Sequence, residues 1–129
     1  MRLLLDTHAL IWWLAGDETS LSNVARTAIG EGGNEVLVSA VSAIEVCTKH
    51  RLGKLPNAAR LAQDFEAVVD AQGFVELPIS IRHGKIAGGL QAVHKDPFDR
   101  LLIAQALSED VALVSNEALF EDFGVARVW

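Results

Sequence analysis

Apolar and polar positions follow two rhythms along this chain, and each change of rhythm marks an element. Leu3, Leu4 and Leu5 continue from Arg2 as an unbroken apolar run. That is the pattern of a strand covered on both faces. Asp6-Thr7 end it, and a helix is predicted from about His8 to Ala15, with Thr7 near its N-cap and Gly16-Asp17 at its close. Ser20 or Ser22 opens a second helix over Val24, Ala25, Ala28 and Ile29, which Gly30, Gly32 and Gly33 terminate. Glu35 to Ser39 is a valine-rich strand, and a helix follows from about Ser42 to Leu52, closed by Gly53.

Leu61, Phe65, Val68 and Val69 fall at helical spacing within a predicted helix from Leu61 to Ala71. Phe74 to Leu77 reads as a third strand, Ile81 to Leu90 as a helix, and Pro97 to about Glu109 as a longer one. Ala112 to Ser115 is a fourth strand, Glu117 to Phe123 a short helix, and Ala126 to Trp129 an edge strand. Strands alternating with helices imply an α/β fold with a central parallel sheet flanked by helices. Ligands of such sheets bind at the carboxyl ends of the strands. Asp6 follows the first strand and Glu117 the fourth, whereas Asp99 begins the helix that precedes the fourth strand, so this rule alone leaves its position open.

Composition narrows the class. A chain of 129 residues, half of them hydrophobic and 22% charged, suits one folded domain and argues against disorder. The longest apolar runs, Ala9 to Ala15 and Leu101 to Ala104, fall short of the roughly 18 residues of a membrane span. Asp6 and His8 interrupt what would otherwise imitate a leader segment, so a cytoplasmic protein is expected. Cys47 stands alone and reads as a small apolar side chain on a helix. A net charge of −6 speaks against a passive nucleic-acid binder but leaves room for a nuclease whose acids meet a metal. Basic residues still gather locally, as Lys49, His50, Arg51 and Lys54 and as His94, Lys95 and Arg100.

Four carboxylates stand out, each with an ordinary reading beside the chemical one. Asp6 is a turn or cap residue by position. Ser42 and Glu45 have the spacing of a capping box, and Glu45 with Lys49 that of an i,i+4 ion pair. Asp96 before Pro97 is a natural N-cap. Asp99 differs, because on a helical wheel it lies about 40° from Ile103 and about 20° from Ala106, extending the apolar stripe inward. Glu117, after Ser115-Asn116, suits the first turn of a helix that Ser115 caps.

Other constellations are weaker. His8, His50, His83 and His94 have no zinc spacing, no Gly-x-Ser-x-Gly elbow is present, and the Gly30–Gly33 stretch lacks the Lys-Ser/Thr of a phosphate loop. A phosphoacceptor receiver domain would want paired acids after the first strand and a late lysine, and a haloacid-dehalogenase phosphatase would want Asp-x-Asp where the chain has Asp6-Thr7-His8. Trp12 and Trp13 lie about 100° apart on a helix, so either one enters the core while the other meets a partner or both pack in the core.

The segments Leu3 to Leu10, Val38 to Glu45, and above all Asp96-Pro97-Phe98-Asp99-Arg100-Leu101-Leu102-Ile103-Ala104-Gln105-Ala106 resemble the PIN-domain ribonuclease toxins of VapC type. Leu113-Val114-Ser115 and Val125 to Trp129 fit as well, so the likeness spans nearly the whole of residues 1–129 as a single domain. The resemblance implies a small doubly wound α/β domain with four acids around Mg²⁺ or Mn²⁺. It further implies RNA cleavage, a cognate VapB-type antitoxin and a homodimer. By position, Asp6, Glu45, Asp99 and Glu117 match the family's acids, with Asp6, Glu45 and Asp99 expected at the metal. Ile44 stands where an aromatic residue often precedes the second acid, and Glu117 where Asp is common. A catalytically inactive relative, kept as an RNA- or protein-binding module, is the alternative.

A like-charge pair about 4 Å apart costs on the order of 4 kcal/mol at an effective dielectric near 20. Converging acids must therefore hold a proton or recruit a cation, and carboxylate oxygens without histidine or thiolate suit Mg²⁺ or Mn²⁺ better than zinc. Lys49 and Arg100 are the expected holders of flanking phosphates. The exposed member of Trp12-Trp13 and the helix from Leu21 to Ile29 are the expected partner surfaces.

Overall fold

The computed structural model describes residues 1–91 and 94–129. Its sheet has five strands, β1 (Arg2–Leu5), β2 (Glu35–Ser39), β3 (Val75–Leu77), β4 (Ala112–Val114) and β5 (Arg127–Val128). They lie in the order β3-β2-β1-β4-β5, and every pairing is parallel. The chain works outward from β1 to β3 on one side, then returns to build β4 and β5 on the other. This doubly wound α/β topology puts a crevice between β1 and β4, at the carboxyl ends of the strands.

Burial on both faces accounts for the unbroken leucines of β1. Leu3 and Leu5 join Val36, Val38, Leu10, Ala25 and Val69 in one core layer, while Leu4 joins Leu37, Leu102, Ile103, Leu113 and Phe120 in the other. Alternate residues of one strand thus serve opposite layers, and neither layer leaves a polar position on β1 beyond Arg2. Helices α1 (Thr7–Ala15), α2 (Asn23–Gly30), α4 (Ala59–Gln63) and α5 (Phe65–Ala71) cover the first layer. Helix α7 (Pro97–Glu109) covers the second, with α6 (Ile81–Gly89) packed against it. Helix α3 (Ala40–Arg51) reaches both, through Val46 and Val41.

Asp6 takes the cap position that its place in the chain allows, with Thr7 the first helical residue: its carboxylate accepts from the Ala9 N–H at 2.8 Å. Three expectations need correction. Helix α3 begins at Ala40 and is capped by Ser39, so the Ser42–Glu45 capping box does not form. The cause is that β2 turns straight into the helix, which buries Ser42 completely and turns its hydroxyl to Thr7 at 3.0 Å. The helix expected from Leu61 to Ala71 is broken at Asp64, whose backbone (φ −120°, ψ 40°) leaves the helical region so that Leu61 and Phe65 both reach the core. The last helix is a 3-10 segment, Ala118–Phe123, ended by Gly124 at φ 79°.

Cys47 is exposed on α3, where an apolar packing role was expected. The two tryptophans share their burial instead of dividing it, Trp13 donating its indole N–H to Gln72 and Trp12 meeting Trp129.

Candidate active site

Each acid owes its place to the element that carries it. Asp6 is the first residue past β1: its backbone N–H continues the ladder to the Val114 carbonyl at 3.1 Å, and its side chain caps α1. Ser115, buried at the end of β4, accepts the Glu117 N–H at 3.1 Å, and its hydroxyl favours the charged form of the Asp6 carboxylate. It lies between two of the acids at the β1–β4 crevice. Glu45 lies in the middle of α3, the helix that leaves β2, with its side chain only 12% exposed and paired with Lys49.

Asp99 arrives by a route that strand order alone did not reveal. A helix connecting parallel strands runs antiparallel to them, so its first turn lies at their carboxyl ends. Asp99 is in the first turn of α7 and is thereby delivered to the mouth. Asp96, three residues earlier, stays outside and caps the helix through the Phe98 and Asp99 N–H groups. Asp99 Oδ2 meets His94 Nε2 at 2.8 Å.

The electrostatics tie the four acids into one group. Burial, above all, raises the Asp6 carboxyl above its ordinary range, against hydrogen bonds from Ser115 and Ala9, and the Asp99 charge adds to the rise. Asp99 is raised by burial and by the charges of Asp96 and Glu45, with His94 opposing. Glu117 is raised by burial, then by the charges of Asp99 and Asp6. Asp6, Glu45, Asp99 and Glu117 are thus linked by mutual repulsion through Asp99. A buried group of like charges is unfavourable unless a cation or a proton joins it.

The donor set fits a hard divalent cation, though not a closed cage. Among the described residues, no three His, Cys, Asp or Glu side chains stand close enough together to close around one metal ion. Mg²⁺ does not require that, because it keeps several waters and is held by one or two carboxylates plus substrate phosphates. Glu45 already has Lys49 as a cationic partner, and Asp99 has the His94 imidazole at 2.8 Å.

Sequence reasoning gave Arg100 to phosphate, and the structure assigns it otherwise. Its guanidinium donates to the carbonyls of Ala87, Leu90 and His94 at 2.8–3.0 Å, bracing the chain between α6 and α7. His94, expected at the surface or as an outer partner, stands on Asp99, and Ser115, expected as a helix cap, leaves that position to Glu117, whose N–H its hydroxyl accepts. The signal for His94 was its place just before the Asp96-Pro97 helix start, where the chain doubles back on its own first turn.

Residues 3–125 match the model of the PIN domain. The chain belongs to the PIN-domain family. This PIN domain shares its fold with several solved toxin–antitoxin structures. VapBC2 from Rickettsia felis, bound to a promoter DNA fragment, gives a TM-score of 0.69 at 15% identity, covering 98% of this chain and 97% of that one. VapBC-1 from nontypeable Haemophilus influenzae gives 0.64 at 15% identity, over 98% and 96%. FitAcB from Neisseria gonorrhoeae gives 0.60 at 18% identity, over 97% and 95%. Among curated proteins, none matches the sequence.

Proposed function

We propose that this PIN domain is a VapC-type toxin of a type II toxin–antitoxin pair, an endoribonuclease that hydrolyses RNA phosphodiester bonds with Mg²⁺ or Mn²⁺. The observation that carries the reading is the linked group of Asp6, Glu45, Asp99 and Glu117 at the strands' carboxyl ends, three of them raised by burial and mutual charge. Asp6, Glu45 and Asp99 are the carboxylates proposed for the ion, one or two of them holding it directly and the rest through its waters, and Glu117 is assigned to the rim on the β4 side. When bound, such an ion lowers the pKa of a coordinated water and stabilises charge on the attacking and leaving oxygens. Ser115 keeps Asp6 ionisable and oriented, and His94 does the same for Asp99, as outer partners of ligating carboxylates commonly do.

A cognate VapB-type antitoxin and a homodimer complete the proposal, and a cytoplasmic location fits both. The neighbours' toxin–antitoxin complexes support the partner. So does an apolar groove of about 500 Å³ lined by Ile11, Leu14, Leu55, Pro56, Leu61 and Val68, none of them an acid of the mouth. Among the described residues no helix is long and apolar enough to cross a membrane.

The alternative, a non-catalytic binding module, draws on the lack of a closed three-ligand set among the described residues. Incubating purified protein with RNA and Mg²⁺ or Mn²⁺ separates the two. Cleavage that chelator abolishes, and that Asp99→Asn lowers by more than about 100-fold with an unchanged circular-dichroism spectrum, supports the nuclease; this exceeds the ~10–100-fold typical of losing an outer partner. Full activity in Asp99→Asn refutes the assignment.

A further inference from the structure

Three rings line up beside the acidic mouth. His8, in the first turn of α1 and exposed, stacks on Trp12 one helical turn later, with centroids 5.5 Å apart and planes 26° from parallel. Trp12 in turn meets Trp129, just past β5, at 5.9 Å and 57°. Trp12 and Trp129 are anchored against the core layer that contains Leu3 and Leu5, so the inner part of the row is fixed. His8 is the outer member, two residues past Asp6 in the first turn of the helix that Asp6 caps. The row therefore starts in the core and ends in solvent at the lip of the site.

Two of the cations near the acids are already engaged in contacts within the chain, while Lys95 beside His94 is exposed. Lys49 is paired with Glu45, and Arg100 donates to three carbonyls. The whole chain carries a charge of −6. With Lys49 and Arg100 so engaged and the chain acidic overall, uncharged contacts gain weight beside the phosphate contact that Lys95 can supply. Aromatic and imidazole rings supply such uncharged contacts, because an unpaired base stacks on them whatever its identity.

We infer that His8, Trp12 and Trp129 form a stacking platform on which an unpaired RNA base, next to the scissile phosphate, lies against the open face of His8. The 5.5 Å spacing of His8 and Trp12 leaves no room for a base between them, so the base extends the row. The platform selects single-stranded RNA, since a paired base offers no free face. The inference rests on the proposed nuclease reading for its substrate.

The test is binding of a short unstructured RNA to the full chain in chelator and low salt, where cleavage plays no part. Tryptophan fluorescence is the readout, and one abasic site is moved along the oligonucleotide. At one position the abasic RNA should bind wild type about 10-fold more weakly, within the roughly 5- to 160-fold expected for one stacked base. His8→Ala and Trp12→Leu should bind the intact RNA that much more weakly and lose the abasic penalty, while Trp12→Phe retains it. An equal penalty in wild type and His8→Ala overturns the platform, as does a uniform penalty along the oligonucleotide or no binding of either RNA. Position-dependent binding without metal-dependent cleavage would sink the nuclease reading alone. Cleavage with no difference between intact and abasic RNA would sink the platform alone.

Discussion

The two ends of the β-sheet handle charge in opposite ways. At the amino end Arg2 pairs with Glu35 at 3.2 Å and donates to the Glu109 carbonyl, while the Glu109 carboxylate meets His83 at 3.0 Å. Both of these acids have a partner of opposite or potentially opposite charge. At the carboxyl end four acids repel one another, and the chain supplies Lys49 and His94 from within. Neither end is a product of overall composition, which is acidic throughout. The difference is one of placement, and it locates the stored repulsion where a cation or a proton can relieve it.

Losing His94 should disturb the acidic end most. His94→Ala frees Asp99 from its 2.8 Å partner, and loss of such an outer contact lowers metal affinity or activity by about 10–100-fold. Titrating Mn²⁺ against cleavage rate in wild type and variant measures it; an unchanged midpoint would show that Asp99 does not depend on His94.

Added metal should then erase the contrast between the two ends. Mg²⁺ or Mn²⁺ at about 100 times its dissociation constant is worth ~2.7 kcal/mol, a rise in melting temperature on the order of 10 °C for a domain of this size. Asp6→Ala should abolish most of that rise. An equal rise in the variant would place the ion elsewhere.

Acidity should do, more weakly, what metal does. The folded-state values of Asp6, Asp99 and Glu117 all lie above their unfolded ones, so the folded state binds more protons between the two. Their contribution to stability is present below the ordinary carboxylate range and is lost as pH rises through the raised values. Metal-free protein should therefore lose this contribution on going from the ordinary carboxylate range toward neutrality, and saturating Mg²⁺ should flatten the slope. Asp99→Asn, which removes one of the repelling charges, should also flatten it without metal. The smallest effect is at the paired end, where Glu35→Gln removes an exposed ion pair worth about 0–1 kcal/mol and should leave cleavage untouched.

The sheet was readable because β1 and β2 are apolar on both faces, a run that neither a solvent-facing strand nor an amphipathic helix produces. Helix α7 was readable from Asp96-Pro97 at its start. Helix starts that compete locally were harder: Ser39 and Ser42 are both plausible caps, and only the tertiary demand that Ser42 reach Thr7 decides between them. The split at Asp64 is likewise set by where Leu61 and Phe65 must pack, which local spacing does not encode. The acids were identifiable as types at particular positions, but their partners were not. Arg100 and His94 sit in one stretch of sequence, yet one braces backbone carbonyls and the other holds Asp99, a division made by the path of the chain between α6 and α7.

Gln105, six residues beyond Asp99 in α7, is fully buried. Its side-chain carbonyl receives the Ser39 hydroxyl at 2.5 Å, and that same hydroxyl accepts the Val41 N–H at the start of α3. The helices bearing Asp99 and Glu45 are thus pinned together, like two blades on one rivet. The gap between their carboxylates is a property of the interior, so it should tolerate changes at the rim and fail with a single apolar replacement of that amide.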